Sequence, residues 1–341
     1  ANGEEIQYTL GEQAVNKGEL DYYIATVDGY TITNTLIIEE SGISKTAPNE
    51  ITDLDSTINY KIEYDVTLND AYQENAEITI TDTLPYKIDE TKEYNLDGGK
   101  YDATAKTITW KGTYNIADNS ITWENSGKEM LRTKLQITKN ISLVYENIPI
   151  EATDTKITNN VQGKIELVTG AIDTKETSID TTTNFKKNIT IEKQWVGDSK
   201  TDEGGNTVVT GRPDEITVQL LADGVLTRTV KLNIQGSWQN EITNLPKYNE
   251  TTRQPIQYSV TEATVPDGYY LSNIEQNTVE GGEKFTVTNS KYGKILLTKV
   301  DNSDNSIKLG GAEFKLEKLK EDNTTDESFT PITKTTSTEE A

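Results

Sequence analysis

Residues 58–66, INYKIEYDV, alternate apolar and polar side chains, and five further runs do the same: AEITITDTL (76–84), KTITW (106–110), NSITW (119–123), LQITKNISLVY (135–145) and ITNNVQGKIELV (157–168). Alternation over this length puts one row of side chains on each face of an extended strand, which constrains the chain to half-buried β-sheet. The Asn, Asp and Gly clusters between the runs are turn formers. Only 33% of the residues are hydrophobic and the aromatics are mostly Tyr, a composition suited to small cores beneath wide polar surfaces. At 341 residues the chain exceeds one ordinary sandwich, so the expected class is all-β, a tandem series of β-sandwiches.

A net charge of -23 argues against nucleic acid and anionic membrane as partners, since both need basic patches. No segment has the apolar length of a membrane span, and Ala1 opens no signal peptide, so any targeting or anchoring sequence is expected outside this chain. Cysteine and histidine are absent and there is one methionine, which removes disulfides, thiolates, imidazole metal sites and the usual catalytic triads. No metal and no cofactor is expected. DNSDNS (301–306) hints at a calcium loop, but an EF-hand would place Ala312 where the bidentate glutamate belongs. The sequons at Asn140, Asn188, Asn249 and Asn323 are of a kind that arises by chance in an Asn- and Thr-rich chain.

Internal repeats set the organisation. IQYSVTE (256–262) matches IQYTLGE (6–12), FTVTN (285–289) matches YTITN (30–34), and ILLTKVD (295–301) echoes ITIEKQW (189–195). Four segments follow: 1–40, the last part of a repeat; 41–187, a different and larger all-β domain; 188–291, a complete repeat; and 292–341, the beginning of another.

The chemistry lies in inward polar residues. In ITIEKQW, Ile189, Ile191 and Trp195 share a strand face with Lys193. An unpaired buried ammonium costs several kcal/mol, so this lysine needs a carboxylate partner, a lowered pKa or a covalent bond. Parity also puts Glu262 in a row with Tyr258 and Val260, and Asn289 in a row with Phe285 and Val287. A neutral amine can attack an asparagine side-chain carbonyl, expel ammonia and leave an amide crosslink, with the glutamic acid polarising the carbonyl and carrying protons. The bland alternative for any one lysine is snorkelling to solvent, and for any one asparagine a turn. Recurrence of the set weighs against both.

These residues carry a resemblance. K-x-W (Lys193, Trp195), RP (Arg212, Pro213), Trp238, LP-x-Y (245–248), YSVTE and FTVTN resemble, in order, the collagen-adhesin B-type (CnaB) repeat of Gram-positive surface proteins and pilins. The resemblance implies an immunoglobulin-like or prealbumin-like sandwich with a Lys193–Asn289 isopeptide bond promoted by Glu262. It places Glu12 and Asn34 in the acid and amide positions of segment 1–40, and Lys299 in the lysine position of segment 292–341, each without its partners. Segment 41–187 resembles the isopeptide-forming domains of fimbrial proteins through SKTAPNE, TDTLP and ITNNV. Ile43 and Lys45 share a face, as do Ile80 and Asp82, and Ile157, Asn159 and Val161. A Lys45–Asn159 bond promoted by Asp82 is therefore expected, with Asn160 as the rival asparagine.

The reading that follows is a structural stalk segment of a Gram-positive cell-surface adhesin or pilus protein, not an enzyme. The lysine is expected on an early strand and the asparagine on the last strand of each complete unit, so that tension bypasses the sheets. Expected partners are a host matrix protein or glycan held by regions outside this chain, with sortase and cell wall as attachment partners. The competing reading is a ligand-binding head formed by 41–187, which an exposed aromatic or apolar patch on that unit would favour.

Overall fold

The computed structural model describes residues 9–12, 18–132, 135–151, 154–293, 295–320 and 322–337. All six alternating runs form strands, and their burial alternates with them. Along Ile58–Leu68 the side chains of Ile58, Tyr60, Ile62, Tyr64, Val66 and Leu68 are all buried. That strand is the centre of a three-stranded sheet, between Gln136–Leu143 and Ile38–Thr46. Facing it is a larger sheet in the order Gly127–Met130, Ser120–Trp123, Thr107–Asn115, Ala76–Thr83, Thr155–Leu167, Ile172–Thr183 and Glu50–Ile51, with Lys100–Asp102 added beside Thr107–Asn115. One apolar core fills the space between them, with Ile78, Ile80, Ile108, Trp110 and Ile165 from the large sheet meeting Ile62, Tyr64 and Ile137 from the small one.

A second core belongs to a smaller sandwich. One sheet runs Gln239–Pro246, Lys186–Val196, Gly282–Lys291, Tyr269–Val279; the other runs Val225–Asn233, Glu215–Ala222, Tyr258–Glu262. Lys186–Val196 and Gly282–Lys291, the first and last strands of this unit, are parallel neighbours. Ile189, Ile191, Val218, Leu220, Leu232, Phe285 and Val287 form the centre of its core. The two sandwiches touch: Lys247 Nζ donates to the Thr52 carbonyl at 2.8 Å, Arg253 donates to the Ile148 carbonyl at 2.8 Å, and Tyr248 meets Phe185 edge-on with ring centres 5.8 Å apart. The tyrosine of LP-x-Y thus serves the junction.

Two expectations are corrected. Asn159 is not on the last strand of the larger sandwich, because Ile172–Thr183 follows and pairs with Thr155–Leu167 over its whole length. That strand escaped notice because it is mostly Thr, Asp, Lys and Glu: it lies on the rim, where few of its side chains are buried. ILLTKVD does not form a strand either. Ile295, Leu296 and Leu297 are 69%, 82% and 51% exposed, and only Val300 makes a bridge, to Lys308. A strand needs a neighbour for its backbone groups, and among the described residues no strand pairs with 295–299, where the Lys299 carbonyl accepts from the Leu309 amide at 2.8 Å. At the other end Tyr23–Asp28 and Thr31–Leu36 form a hairpin, while the Ile6–Tyr8 part of IQYTLGE lies outside the described residues.

Gly163 lies in the inward row with Asn159, Val161 and Ile165, and the Tyr64 ring packs on its bare backbone: a Cβ there would stand 2.7 Å from two ring carbons. Gly163→Val is therefore expected to overpack this core by about 1–3 kcal/mol, lowering the thermal midpoint of the larger sandwich and not of the smaller one. An unchanged midpoint would show that the close approach is not needed.

Candidate functional site

Lys193 ends the inward row of Ile189 and Ile191, and on the adjacent parallel strand Asn289 stands opposite Trp195, two residues further along the same face. Glu262 comes from the facing sheet, at the end of the row Tyr258, Val260. The three are 3%, 0% and 8% exposed for Lys193, Asn289 and Glu262. Asn289 Nδ2 donates to Glu262 Oε1 at 3.0 Å. Lys193 Nζ donates to the carbonyls of Gln194 and Val287 at 3.1 and 3.2 Å and lies 4.4 Å from the centre of the Trp195 ring. Asn289 Oδ1 and Glu262 Oε2 have no hydrogen-bond partner among the described residues.

Burial sets the electrostatics. It lowers the Lys193 pKa to about 8 against the opposing pull of the Glu262 carboxylate, and it raises the Glu262 pKa. Both groups are pushed toward their neutral forms, which are the forms an aminolysis needs. A half-turn of the Asn289 amide exchanges its oxygen and nitrogen, and a protonated Glu262 then donates to Oδ1. In such an arrangement, attack of the Lys193 lone pair on Asn289 Cγ would form a new C–N bond. Glu262 would pass its proton to the departing amide nitrogen as it accepts the one shed by the attacking nitrogen, so that the C–N bond to the original NH2 would break and ammonia would leave.

The larger sandwich holds a second set with different topology. Lys45 comes from the small sheet; Asp82 and Asn159 come from neighbouring strands of the large one. Lys45 Nζ contacts Asp82 Oδ1 directly, and both side chains are fully buried. Asn159 donates from Nδ2 to the Tyr145 hydroxyl at 3.5 Å, and Asn159 Oδ1 and Asp82 Oδ2 have no hydrogen-bond partner among the described residues. Burial lowers the Lys45 pKa to about 8 and raises that of Asp82. Asn160, the rival asparagine, points to solvent.

The terminal residues are not assembled in this way. Asn34 Nδ2 donates to Glu12 Oε1 at 2.8 Å, the same acid–amide contact as in the complete repeat, but both residues are exposed. Lys299 is exposed as well. The sequence reading missed the aromatic walls: Tyr60, whose ring centre is 4.7 Å from Lys45 Nζ, and Tyr145, whose hydroxyl bonds that of Tyr60 at 2.9 Å. Tyr60 had a signal in its parity with Ile58 and Ile62. It also missed a third inward lysine, Lys139, which is 3% exposed. Lys139 pairs with Glu129 at 3.0 Å and lies 4.2 Å from the Trp123 ring centre, so its partners are a carboxylate and an indole face.

Residues 189–290 match the Cna protein B-type domain. A collagen adhesin of Staphylococcus aureus is 26% identical over 280 residues, 81% of this chain, which spans 18% of the length of that relative. Among solved structures, a single B repeat unit of the collagen-binding surface protein of S. aureus is 18% identical, with 74% of this chain and all of that chain covered and a TM-score of 0.26. The major pilin subunit of Bacillus cereus is 15% identical, with 79% and 78% covered and a TM-score of 0.32. The residues that match the Cna protein B-type domain are those of the smaller sandwich, and most of the chain is similar in sequence to a collagen adhesin.

The buried lysine makes stability depend on pH when the reaction is blocked. In Asn289→Ala, Lys193 keeps a folded pKa near 8 against 10.5 in the unfolded chain. The unfolded chain then binds the extra proton between these values, and stability rises with pH through that window. Glu262, with its folded pKa raised above 4.5, acts oppositely at acid pH: stability falls as pH rises from 4.5 through the raised value. Urea unfolding of the smaller sandwich should show an alkaline gain of about 3 kcal/mol that Lys193→Met abolishes in the same background. A flat alkaline limb would contradict the placement of a dehydrated amine.

Proposed function

We propose that both sandwiches close autocatalytic intramolecular isopeptide bonds, Lys193–Asn289 promoted by Glu262 and Lys45–Asn159 promoted by Asp82, and that the chain is a tension-resistant stalk segment of a Gram-positive cell-surface adhesin or pilus protein. The observation that carries this reading is the repetition, in two cores of different topology, of one buried lysine, one buried acid and one buried asparagine. The segments 41–187 and 188–291 are the crosslinked units, and 1–40 and 292–341 are parts of further repeats. The stalk is held outside the cell. Its matrix or glycan partner, and its attachment through sortase to the cell wall, belong to regions beyond this chain. The exposed large hydrophobics of the larger sandwich, Tyr94, Met130, Val168 and Ile172, are few, which supports a stalk over a binding head.

The bonds act on tension differently. Lys193 and Asn289 lie on the first and last strands of their unit, so a bond between them carries the load past the whole sandwich. In the larger unit the load leaves Asn159 through Asn160–Thr183, a stretch held by the ladders of Thr155–Leu167 with Ala76–Thr83 and with Ile172–Thr183, by the buried side chains of Val161, Ile165 and Leu167, and by a short pairing with Glu50–Ile51, but not by the covalent bond. Closing loops of this size also stabilises by roughly 4–5 kcal/mol if the chain-entropy account of disulfides transfers. Pulling single chains by their ends tests the reading. The smaller sandwich should not lengthen, and the larger should release only Asn160–Thr183, on the order of 70 Å. Lys45→Ala/Lys193→Ala should release both sandwiches fully. Full release in the unsubstituted chain would contradict the proposal.

A further inference from the structure

The Lys193 pocket holds a second buried carboxylate. Asp198 is 2% exposed, and its charge reaches Lys193. Both of its oxygens are occupied. Arg212 donates from Nε to Oδ2 at 2.8 Å and from Nη2 to Oδ1 at 2.9 Å, and the Tyr269 hydroxyl donates to Oδ2 at 3.1 Å. The guanidinium carbon is 5.3 Å from the centre of the Trp195 ring, the same ring that Lys193 Nζ approaches to 4.4 Å. Trp238 and Tyr269 meet Trp195 nearly edge-on, with ring centres 5.1 and 4.9 Å away, and fix that shared wall. The chain around Arg212 is tied down too: the Thr210 amide donates to the Asp198 carbonyl at 3.0 Å, and Lys291 Nζ donates to the Thr210 carbonyl at 2.6 Å.

An aspartate in a dry pocket beside an amine is a hazard for the reaction. Left without a partner, its carboxylate would draw the ammonium into an ion pair, hold the proton on nitrogen and leave no lone pair to attack. A bidentate guanidinium pair is the strongest way to occupy both oxygens of a carboxylate. Resting on the crosslink reading above, we propose that Arg212 is a positioning residue for the Lys193–Asn289 reaction: clamped on Asp198 against the Trp195 wall, it withholds that carboxylate from the lysine and leaves Glu262 as the acid that serves the amine. Arg212 touches neither reacting atom. It acts through Asp198, and through its own positive charge, which disfavours a second cation at Lys193.

The ionisable groups around the amine define the test. Glu262 acts on it from the opposite sheet and Asp198 and Arg212 from the segment after its own strand, while behind them Tyr269 donates to Asp198 and Lys291 lies over the Tyr269 ring, both on the neighbouring strand pair. The full chain is made in a short pulse of cell-free synthesis and chased into buffers from neutral to alkaline pH. Samples are denatured at intervals, and the Lys193–Asn289 peptide is counted by mass, with Lys45–Asn159 in the same chain as the internal control. Arg212→Gln should slow Lys193–Asn289 formation about tenfold at neutral pH and move the rise in rate about one pH unit upward, without altering the control. Asp198→Asn, alone or with Arg212→Gln, should react at or above the unsubstituted rate. If Arg212→Gln keeps the ordinary profile, or Asp198→Asn slows the reaction as much and fails to rescue the double variant, Arg212 is only a packing residue. If the unsubstituted chain links Lys45 but not Lys193, the crosslink reading of this unit falls, and the proposal with it.

Discussion

Dehydration of a lysine ammonium inside a β-sandwich is the constraint around which both units are organised. Burying that charge is unfavourable by several kcal/mol, and the protein must either pair it, neutralise it or use it up. Lys139 shows the ordinary outcome. It is as buried as Lys193, yet the side chain of its partner Glu129 is 39% exposed, so the carboxylate stays in water and the pair is anchored at the surface. The acids beside Lys45 and Lys193 lack that outlet: Asp82 is fully buried and Glu262 is 8% exposed. A dehydrated acid next to a dehydrated amine favours the two neutral forms, and in the proposed reaction the neighbouring asparagine amide would use up that unfavourable pairing.

The two sets place the same chemistry on different scaffolds. In the smaller sandwich, amine and amide stand on adjacent parallel strands of one sheet, and the acid comes across the core. In the larger one, acid and amide share a sheet, and the amine crosses to them. A bond in the first arrangement joins the ends of the unit, whereas in the second it pins one sheet to the other and leaves the Ile172–Thr183 strand outside. Aromatic walls accompany both: Tyr60 and Tyr145 around Lys45, Trp195 and Trp238 beside Lys193. They exclude water while tolerating a cation on their faces.

Much of this was legible in period-two alternation. The six runs became strands because their inward rows are Ile, Val, Tyr and Trp with little interruption, and the inward polar residues stood out against that background. Asn159 and Asn160 were separable by parity alone, one in the row of Ile157 and Val161 and the other outside it. What stayed hidden was whatever depends on partners distant in sequence. Ile172–Thr183 has little apolar alternation and is a strand because Thr155–Leu167 offers it an edge. ILLTKVD has the alternation and no edge to join. Lys139 has the parity of a crosslinking lysine, and only its neighbours distinguish it. The Arg212–Asp198 pair was visible as an RP motif, but its partner lies across a loop that spacing did not connect.

The central claim is covalent, and mass decides it most directly. High-resolution mass of the intact, denatured chain should be two ammonia molecules below the sequence value, with proteolysis placing one loss in a Lys45–Asn159 linked peptide and the other in Lys193–Asn289. A mass equal to the sequence value, with both lysines free, would contradict the account.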